Sequence, residues 1–300
     1  MTDTSQITET FSDHLLGASI PDRDARLRMV RLEQPLAEIL AAHDYPPAMR
    51  NLLAEALVLT ALIGGLIDED EGQMTIQAQT SGGVVRLLVC DYHEGAIRGY
   101  ADFDRERLAT LGANPSLASL FGEGHLAITF DVPSRGGRYQ GIVPLEGDSL
   151  AAACESYFMQ SEQVPTLLRV AIRTEGGRTL AAGLLAQHLP DGEVGRERLH
   201  ARLSHPHWEH VQVMASSIRH EELLDTSVPL EALIWRLFHE EDEVRVFQGA
   251  NIARGCRCSV EHYQSVIARF PEEERAEMRD ESGDILVDCA FCSKVFTIVT

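Results

Sequence analysis

The sequence predicts an α+β protein with an N-terminal mixed α/β core built on antiparallel sheets, a helical linker and a small C-terminal domain. Three observations lead to this prediction. Runs of strand composition separated by glycine turns occupy much of the first 190 residues. Apolar residues then follow helical spacing, and four of the six cysteines lie within the last 45 residues. We expect the three domains to span residues 1–195, 196–255 and 256–300.

The core begins with one strand and two helices. Arg26–Leu32 alternates apolar and basic residues, which is the period-two pattern of a strand. A helix is expected over Leu36–His43. Pro46 and Pro47 then suit the first turn of a second, largely buried helix that runs to about Ile67, because the first turn needs no backbone N–H donor.

The rest of the core is predicted to be mostly strands. Glycine-marked turns separate runs rich in β-branched and aromatic residues, which is typical of an antiparallel meander. One helix, Leu150–Gln160, interrupts the strands and has Ser149 as its N-cap. The expected strands are Met74–Thr80, Gly83–Tyr92, Ala96–Phe103, His125–Val132, Arg138–Leu145, Leu167–Thr174 and Thr179–Gln187.

The composition changes after Leu189. Residues 190–198 resemble a linker, and residues 196–250 are then expected to be helical rather than extended. In the second half of this stretch, apolar residues recur at helical spacing, so one face of the segment should be buried. These residues are Leu230, Leu233, Ile234, Leu237 and Phe238.

The charge of the chain limits its partners. Its 46 acidic and 26 basic residues give a formal net charge of −20, which opposes binding to phosphate backbones and anionic membrane surfaces. We therefore expect neither nucleic acid nor a membrane as a partner. The most apolar stretch, Leu52–Ile67, contains Glu55 and two glycines, so its uninterrupted part is too short to span a bilayer. The polar N-terminal residues lack the apolar run of a signal peptide, and we expect a cytoplasmic protein.

The paired cysteines near the C-terminus have the spacing of a zinc site. Cys256 and Cys258 form a C-x-C pair, Cys289 and Cys292 form a C-x-x-C pair, and thirty residues separate the pairs. Two cysteine pairs at the ends of a short loop indicate one tetrahedral zinc ion with four thiolate ligands. In the cytoplasm, clustered cysteines are more often metal ligands or redox sensors than structural disulfides. We therefore predict that residues 256–300 form a zinc-binding domain.

Spacing alone favours a purely structural zinc site and leaves redox switching, partner docking and nucleic-acid binding open. Nucleic-acid binding is the weakest of these, because residues 256–300 contain five basic and nine acidic residues. Arg254, Arg257 and Lys294 lie beside the cysteines in sequence and would offset the negative charge of four thiolates.

A zinc site of this kind can act as a switch, because little else stabilises the domain. A chain of 46 residues, from Gly255 to Thr300, is near the length at which a hydrophobic core cannot sustain folding alone. Most of the folding free energy would come from the metal, about 10–16 kcal/mol in small zinc modules. The nearest cysteine in sequence to each sulfur is the other member of its own pair. Oxidation within the pairs would leave the thirty-residue loop unbridged, and the domain should unfold.

Other candidate groups have simpler explanations. Cys90 and Cys154 lie in apolar runs and are expected to be buried, unreactive thiols. Four polar residues in and beside the predicted helix suggest acid–base machinery, but a solvated helix face explains them better. They are Glu155, Ser156, Ser161 and Glu162. The sequence has no hydrolase, P-loop or dinucleotide-binding motif, so we do not expect an enzyme.

Three histidines of the predicted linker, His205, His207 and His210, raise the question of a second metal site. Pro206 disfavours a helix that would bring the first two together. Solvent-exposed histidines, which could give the linker some sensitivity to pH, explain the pattern better.

Several segments together resemble the thirty-three-kilodalton heat-shock protein family of bacterial redox-regulated chaperonins. The cysteine pairs stand in GCRCS and CAFCSKVF, with the spacing of that family. Tyr139–Thr166 is similar to the family's most recognisable segment, and Leu233–Phe247 to the stretch just upstream of its zinc site. Tyr45–Gly64 is also similar, so the resemblance covers nearly the whole chain.

This resemblance implies an ATP-independent holdase that is idle when reduced and bound to one zinc ion. The implied ligands are Cys256, Cys258, Cys289 and Cys292. Oxidation, usually with heat, would release the zinc and form the disulfides Cys256–Cys258 and Cys289–Cys292. The redox-sensitive linker, residues 196–255, would then unfold and bind unfolding client proteins, and the active form would be a homodimer. The alternative is a structural zinc module of a partner-docking protein without chaperone activity.

Overall fold

The computed structural model describes residues 12–67, 72–189 and 205–298, and at its centre one apolar helix contacts two β-sheets. This helix, α2 (Pro47–Gly64), buries 13 of its 18 residues. By length and composition α2 could cross a membrane, but 72% of it is buried inside the protein, as expected for the core helix of a globular protein. The predicted start at the proline pair is confirmed, because Pro46 is the N-cap and Pro47 the first helical residue.

The first sheet has five strands. They are β1 (His14–Ile20), β2 (Ala25–Leu32), β8 (Thr166–Glu175), β9 (Arg178–His188) and β10 (Arg245–Asn251). Their order is β10-β1-β2-β9-β8, and every neighbouring pair is antiparallel. Alternate residues point to opposite faces, one of which packs on α2 and the other on helices of the linker region. Because both faces are covered, β9 is buried at every position but the first.

The second sheet has six strands. They are β3 (Gln73–Thr80), β4 (Val85–His93), β5 (Ala96–Phe103), β6 (Gly124–Val132), β7 (Gly137–Pro144) and β11 (Ala253–Arg254). Their order is β11-β5-β4-β3-β6-β7, and only the β11–β5 pair is parallel. The predicted meander of β3, β4 and β5 is confirmed, and its inner face packs on α2.

Four short helices complete the part of the core that the structure describes. They are α1 (Gln34–Leu40), α3 (Arg105–Ala109), α4 (Leu117–Phe121) and α5 (Leu150–Tyr157). The predicted cap of α5 is confirmed, since Ser149 Oγ accepts a hydrogen bond from Ala152 N at 3.1 Å. Glu55 of α2 also binds the start of α5, because its Oε1 accepts from Ala151 N at 3.0 Å. The middle of α2 is thereby tied to the first turn of α5.

The helical segment consists of three helices that cover the outer face of the first sheet: α6 (Pro206–Ser216), α7 (His220–Leu223) and α8 (Leu230–Phe238). Its buried side chains include all five apolar residues that the sequence predicts to face inward. Arg31 of β2, which has no exposed surface, holds the helical segment to the first sheet. The Arg31 guanidinium donates to the carbonyls of Leu223 at 2.6 Å and Val228 at 2.5 Å.

Glu241, just after α8, joins the helical segment to the edge of the core. Its carboxylate contacts Arg23, in the turn between β1 and β2, at 2.8 Å and His210 of α6 at 2.7 Å. Burial opposes ionisation of Glu241, but the two basic partners outweigh it and lower the pKa of this carboxyl. The contact therefore favours a charged Glu241 and a docked α6.

The C-terminal domain is built from two helices and a hairpin: α9 (Val260–Ile267), α10 (Glu272–Met278), β12 (Ile285–Asp288) and β13 (Val295–Ile298). Its apolar cluster is small. The buried members among the described residues are Ile267, Ile285, Cys289, Phe296 and Ile298.

The predicted α+β class is confirmed, but some elements differ from the sequence prediction. Residues 245–250 are not helical, because β10 pairs with β1 and extends the first sheet. The sequence prediction also lacks β1, which is buried on both faces and so has no alternating pattern, and the five-residue helices α3 and α4. The linker-like stretch of residues 190–198 lies outside the described residues. The first part of the predicted helical region, residues 196–204, lies outside them too.

Candidate metal centre

Four cysteine sulfurs of the C-terminal domain lie within 4.8 Å of one another. Cys256 and Cys258 follow β11 and directly precede Ser259, whose hydroxyl caps α9. Cys289 and Cys292 lie in the turn between β12 and β13. These are the four cysteines singled out by spacing, and the fold brings them to one point.

The turn between β12 and β13 is held by backbone hydrogen bonds. Cys289 N donates to the Lys294 carbonyl at 3.0 Å. The Cys289 carbonyl in turn accepts from the N–H groups of Cys292 at 3.2 Å and Ser293 at 2.8 Å. Ser293 has a φ of 55°, in the left-handed region that side-chain-bearing residues seldom occupy. This tight turn brings the two sulfurs of the C-x-x-C pair together.

The sulfur positions fit a tetrahedral thiolate site. The Sγ–Sγ distances are 3.3 Å for Cys256–Cys258, 3.5 Å for Cys256–Cys289 and 3.5 Å for Cys258–Cys292. Tetrahedral zinc with Zn–S bonds of about 2.3 Å places its sulfurs about 3.8 Å apart, so a small expansion accommodates the ion. In the part of the chain that the structure describes, no other group of three or more potential ligands converges in this way.

The thiols differ in acidity. Burial opposes ionisation of Cys289, but hydrogen bonds from the Tyr263 hydroxyl and from the backbone of Cys292 and Phe291 outweigh it and lower its pKa to about 6. The pKa of Cys258 is raised, first by burial and then by the neighbouring thiols. Burial also raises the pKa of Cys292. The lowered pKa of Cys289 favours its thiolate, the form that binds metal.

The cysteine site rests on the outer face of the second sheet. Arg98 of β5 lies over the ring of Phe291, 4.0 Å from its centroid, and its Nε donates to Asp91 Oδ2 at 2.7 Å. Arg257 reaches the same carboxylate oxygen at 3.4 Å and donates to Gln73 Oε1 at 2.8 Å. The charge of Arg257, expected to offset the thiolates, is thus also directed at a buried carboxylate of the core.

A second contact joins the turn between β12 and β13 to the residues after α1. The Ser293 hydroxyl donates to the Ala42 carbonyl at 2.6 Å, and His43 Nε2 lies 2.6 Å from the Ala290 carbonyl. His43 also packs against the rings of Tyr45 and Tyr100. Polar groups therefore dominate the interface between the cysteine site and the core.

The remaining candidates do not form a site with these cysteines. Cys90 and Cys154 are completely buried, as predicted, and burial raises the pKa of each thiol. The prediction that these polar residues form a solvated helix face is wrong for the carboxylates of Glu155 and Glu162. Glu155 accepts a hydrogen bond from Leu168 N at 2.7 Å, and Glu162 accepts one from Tyr157 at 2.8 Å. Both carboxylates therefore hold neighbouring elements in place.

The three linker histidines separate into two groups. The rings of His205 and His207 lie 4.7 Å apart, and the ring of His188 lies 5.2 Å from that of His205. His210 instead contacts Glu241. Their side chains therefore do not converge on one metal ion, and Pro206 begins α6 as its first residue.

Sequence reasoning missed the residues that support the cysteine site from outside its motif. Asp91, Arg98 and His43 belong to the core, and they lie more than 150 residues before the cysteines. Tyr263 belongs to α9, and an aromatic residue near the cysteines has no spacing rule that marks it as a thiolate partner. Only the three-dimensional fold reveals these contacts.

Comparisons with known proteins agree with this architecture. A family model described as "Hsp33 protein" matches residues 13–299. A 33 kDa chaperonin of Caulobacter vibrioides (strain NA1000 / CB15N) is 37% identical over 306 residues, covering 99% of this chain and 98% of that protein. A 33 kDa chaperonin of Shigella boydii serotype 4 is 35% identical over 267 residues, covering 89% and 85%.

The fold is also that of a solved structure. The crystal structure of the 33 kDa chaperonin (heat shock protein 33 homolog) of Thermotoga maritima matches with a TM-score of 0.74. The match covers 95% of this chain and 94% of the other, at 20% sequence identity. Because the family model and the curated relatives span nearly the full length, this chain belongs to the Hsp33 family.

Proposed function

We propose that this protein is a redox-regulated, ATP-independent chaperone that holds unfolding proteins. It is inactive when reduced and bound to one zinc ion, and it becomes active when oxidation releases the metal. The convergence of four thiols in a domain with a very small apolar cluster carries this proposal. Membership in the Hsp33 family supports it, as do the names of the relatives, which describe chaperonins.

The ligands in this proposal are Cys256, Cys258, Cys289 and Cys292. Bound zinc ties the two ends of the domain together and supplies most of its folding free energy, about 10–16 kcal/mol in comparable modules. The zinc-binding domain, residues 256–300, follows a linker of residues 196–255 and a core of residues 1–195. The chain works in the cytoplasm, where thiols are kept reduced until an oxidant appears.

Oxidation by peroxide proceeds within each cysteine pair. One thiolate attacks the peroxide, becomes a sulfenic acid and releases hydroxide, and the second thiolate then displaces another hydroxide to form the S–S bond. Two peroxide molecules are reduced in total, and the products are the disulfides Cys256–Cys258 and Cys289–Cys292. Neither bridges residues 259–288, so the domain loses its long-range restraint and unfolds.

Unfolding of the zinc-binding domain frees the linker. The helical segment is held to the first sheet mainly by apolar burial, with Arg31 and Glu241 as polar anchors. Its release exposes two apolar faces that bind unfolding client proteins, and the active form is a homodimer. The apolar side chains released from the helical segment include Trp208, Val211, Leu230, Leu233, Ile234, Leu237 and Phe238.

One experiment tests the zinc switch and the chaperone activity together. The reduced, zinc-loaded protein is treated with peroxide at raised temperature, or with hypochlorite. A zinc-sensitive dye reports the metal, and light scattering of a thermally unfolding client enzyme reports aggregation. We expect zinc loss together with suppressed aggregation, and both should be reversed by a thiol reductant with added zinc.

Two comparisons make the outcome decisive. The variant Cys154→Ala keeps all four ligands and should respond like the wild type, whereas Cys289→Ser should bind zinc poorly. If zinc stays bound, or leaves without any change in client aggregation, the site is a structural zinc module of a partner-docking protein. That result would reject the chaperone switch.

A further inference from the structure

Strand β10 is a loosely held edge of the first sheet. Among the described strands it pairs only with β1, and six of its seven residues are exposed. Its two large apolar side chains, Val246 and Phe247, are 43% and 44% exposed. Backbone hydrogen bonding to β1, rather than apolar burial, therefore accounts for most of its attachment.

The ring of Phe247 occupies a defined slot on β1. Phe247 lies directly across from Gly17, and Gly17 lies across from Arg28 on β2. A Cβ atom on Gly17 would overlap the Phe247 ring, so the ring fills the space that a side chain would take. The Arg28 guanidinium lies 5.0 Å from the ring centroid, and its Nε donates to the Gly65 carbonyl at 3.2 Å. Gly17 and Arg28 thus form a seat for one aromatic side chain.

The position two residues after Phe247 is also restricted. A Cβ atom on Gly249 would lie 2.8 Å from the carbonyl oxygen of Leu15 on β1. The register between β1 and β10 shifts here, because Leu16 pairs with Gln248 but His14 pairs with Asn251, so Gly249 and Ala250 lie opposite Leu15 in a β-bulge. The edge of β1 therefore accepts an extended segment with an aromatic residue on Gly17 and a glycine two positions later.

β10 is closely connected to the cysteine site. Four residues separate Asn251 from Cys256, and they include β11 and Gly255. Gly255 N donates to the Ile97 carbonyl of β5 at 2.9 Å, and Ile252 N donates to the Asp13 carbonyl at 2.8 Å. Unfolding of the zinc-binding domain therefore reaches β10 after a very short stretch of chain.

We propose that β10 is an internal occupant of a client-binding edge, and that an extended client segment with an aromatic residue takes its place on β1 after oxidation. This inference rests on the proposed function, because it requires β10 to leave with the linker. A vacated sheet edge presents unpaired N–H and C=O groups that add a strand from another chain. The Gly17–Arg28 seat then favours segments with a Phe, Tyr or Trp in register, and glycine two residues later fits best.

A peptide copy of β10 tests this inference without altering the fold. The probe is a fluorescently labelled peptide of residues 243–252, EVRVFQGANI, and its matched variants carry Phe247→Ala or Gln248→Ala. Gln248 alternates to the other face, where it contacts Glu231 of α8. We expect the wild-type peptide to bind the oxidised protein and not the reduced one. The change at Phe247 should weaken binding at least tenfold, and the change at Gln248 less than twofold.

Competition and a protein variant complete the test. Saturating wild-type peptide should reduce client protection by the oxidised protein several-fold, and the Phe247→Ala peptide should not. In Gly17→Val protein the seat is filled, so the oxidised variant should bind both peptides equally weakly.

The outcomes separate this inference from the proposed function. If the oxidised protein suppresses aggregation but does not distinguish the peptides, the β1 edge is not a client site and the chaperone switch stands. If zinc loss brings no protection at all, the proposed function itself fails. If the peptide instead splits an oxidised dimer into monomers, the occupant of the edge is β10 of a second copy, which overturns the assignment to clients.

Discussion

Arg31 is a buried charge whose acceptors are backbone carbonyls of the helical segment. Besides Leu223 and Val228, its Nη2 reaches the Glu222 carbonyl at 3.3 Å. Burial lowers the pKa of this guanidinium to about 10, which leaves it protonated at neutral pH. Leu223 is the last residue of α7, where carbonyls run out of helical N–H donors, so Arg31 acts as a cap supplied by the core.

Arg31→Met is expected to loosen the helical segment. Methionine keeps the apolar stem but removes the donor to the Leu223 and Val228 carbonyls, which costs about 2–3 kcal/mol. Hydrogen exchange of the α7 and α8 amides should accelerate in the reduced protein. Arg86→Met is the matched control, because Arg86 pairs with Asp102 at the surface of the second sheet. Unchanged exchange in Arg31→Met would show that apolar burial alone holds the segment.

Glu55 illustrates how a buried carboxyl makes stability depend on pH. Burial raises its pKa, and the hydrogen bonds from Ala151 and Leu150 only partly oppose this. A carboxyl with a raised folded pKa contributes stability below its unfolded pKa and loses it as pH rises through the folded pKa. Ionisation of Glu55 therefore lowers the free energy of unfolding.

Glu55→Gln should keep an oxygen that accepts the hydrogen bond from Ala151 N, and it removes the buried charge. We expect the variant to gain stability relative to wild type as the pH rises from 4 to 7, in urea unfolding of the reduced protein. Glu146→Gln, at an exposed position, serves as the control and should show no such trend. A stability difference that stays constant with pH would contradict the buried-charge explanation.

At the scale of elements, the sequence predicted those whose own pattern is strong. Helix α2 and strand β5 were foreseen because an apolar run after a proline pair, and a β-rich run between turns, need no knowledge of the tertiary fold. β10 was mistaken for helix because its pairing with β1 joins residues more than 200 apart. An edge strand with mostly exposed residues has no two-period apolar pattern to reveal it.

Docking of the C-terminal domain on the second sheet depends on Asp91, whose carboxylate is contacted by three groups. Arg98 and Arg257 contact one of its oxygens, and Thr75 donates to the other at 2.7 Å. Asp91 is 5% exposed, so removing its charge leaves two guanidinium groups poorly compensated. The Arg98 side chain would also lose the support that holds it over Phe291.

Asp91→Asn should therefore weaken the docking and speed zinc release. We expect a cost of about 1–2 kcal/mol and a roughly tenfold faster loss of zinc under peroxide, measured with a zinc-sensitive dye. Asp102→Asn on the next strand changes the same kind of side chain away from the cysteine site and should leave the rate unchanged. Equal rates in all three proteins would mean that the docking does not protect the site.

At the scale of the whole molecule, the cysteine site was the most predictable feature and its surroundings the least. Spacing alone identified the four cysteines, because paired thiols across a short loop have few other uses in a reducing compartment. That same spacing does not reveal that the site lies against the second sheet, through contacts from residues such as Asp91 and His43. A motif records local chain geometry, whereas an interface depends on how distant segments pack.

Removal of the metal from the reduced protein tests whether the C-terminal domain depends on zinc for its stability while the core does not. The core has a large apolar cluster around α2, and the C-terminal domain has five buried residues among those described. A chelator with a thiol reductant should therefore unfold residues 256–298 and leave the core folded. Hydrogen exchange should become fast in α9, α10, β12 and β13 and stay slow in α2, and added zinc should restore protection. If the C-terminal amides stay protected without zinc, the domain folds on its apolar cluster and its contacts with the core, and loss of metal cannot drive the switch.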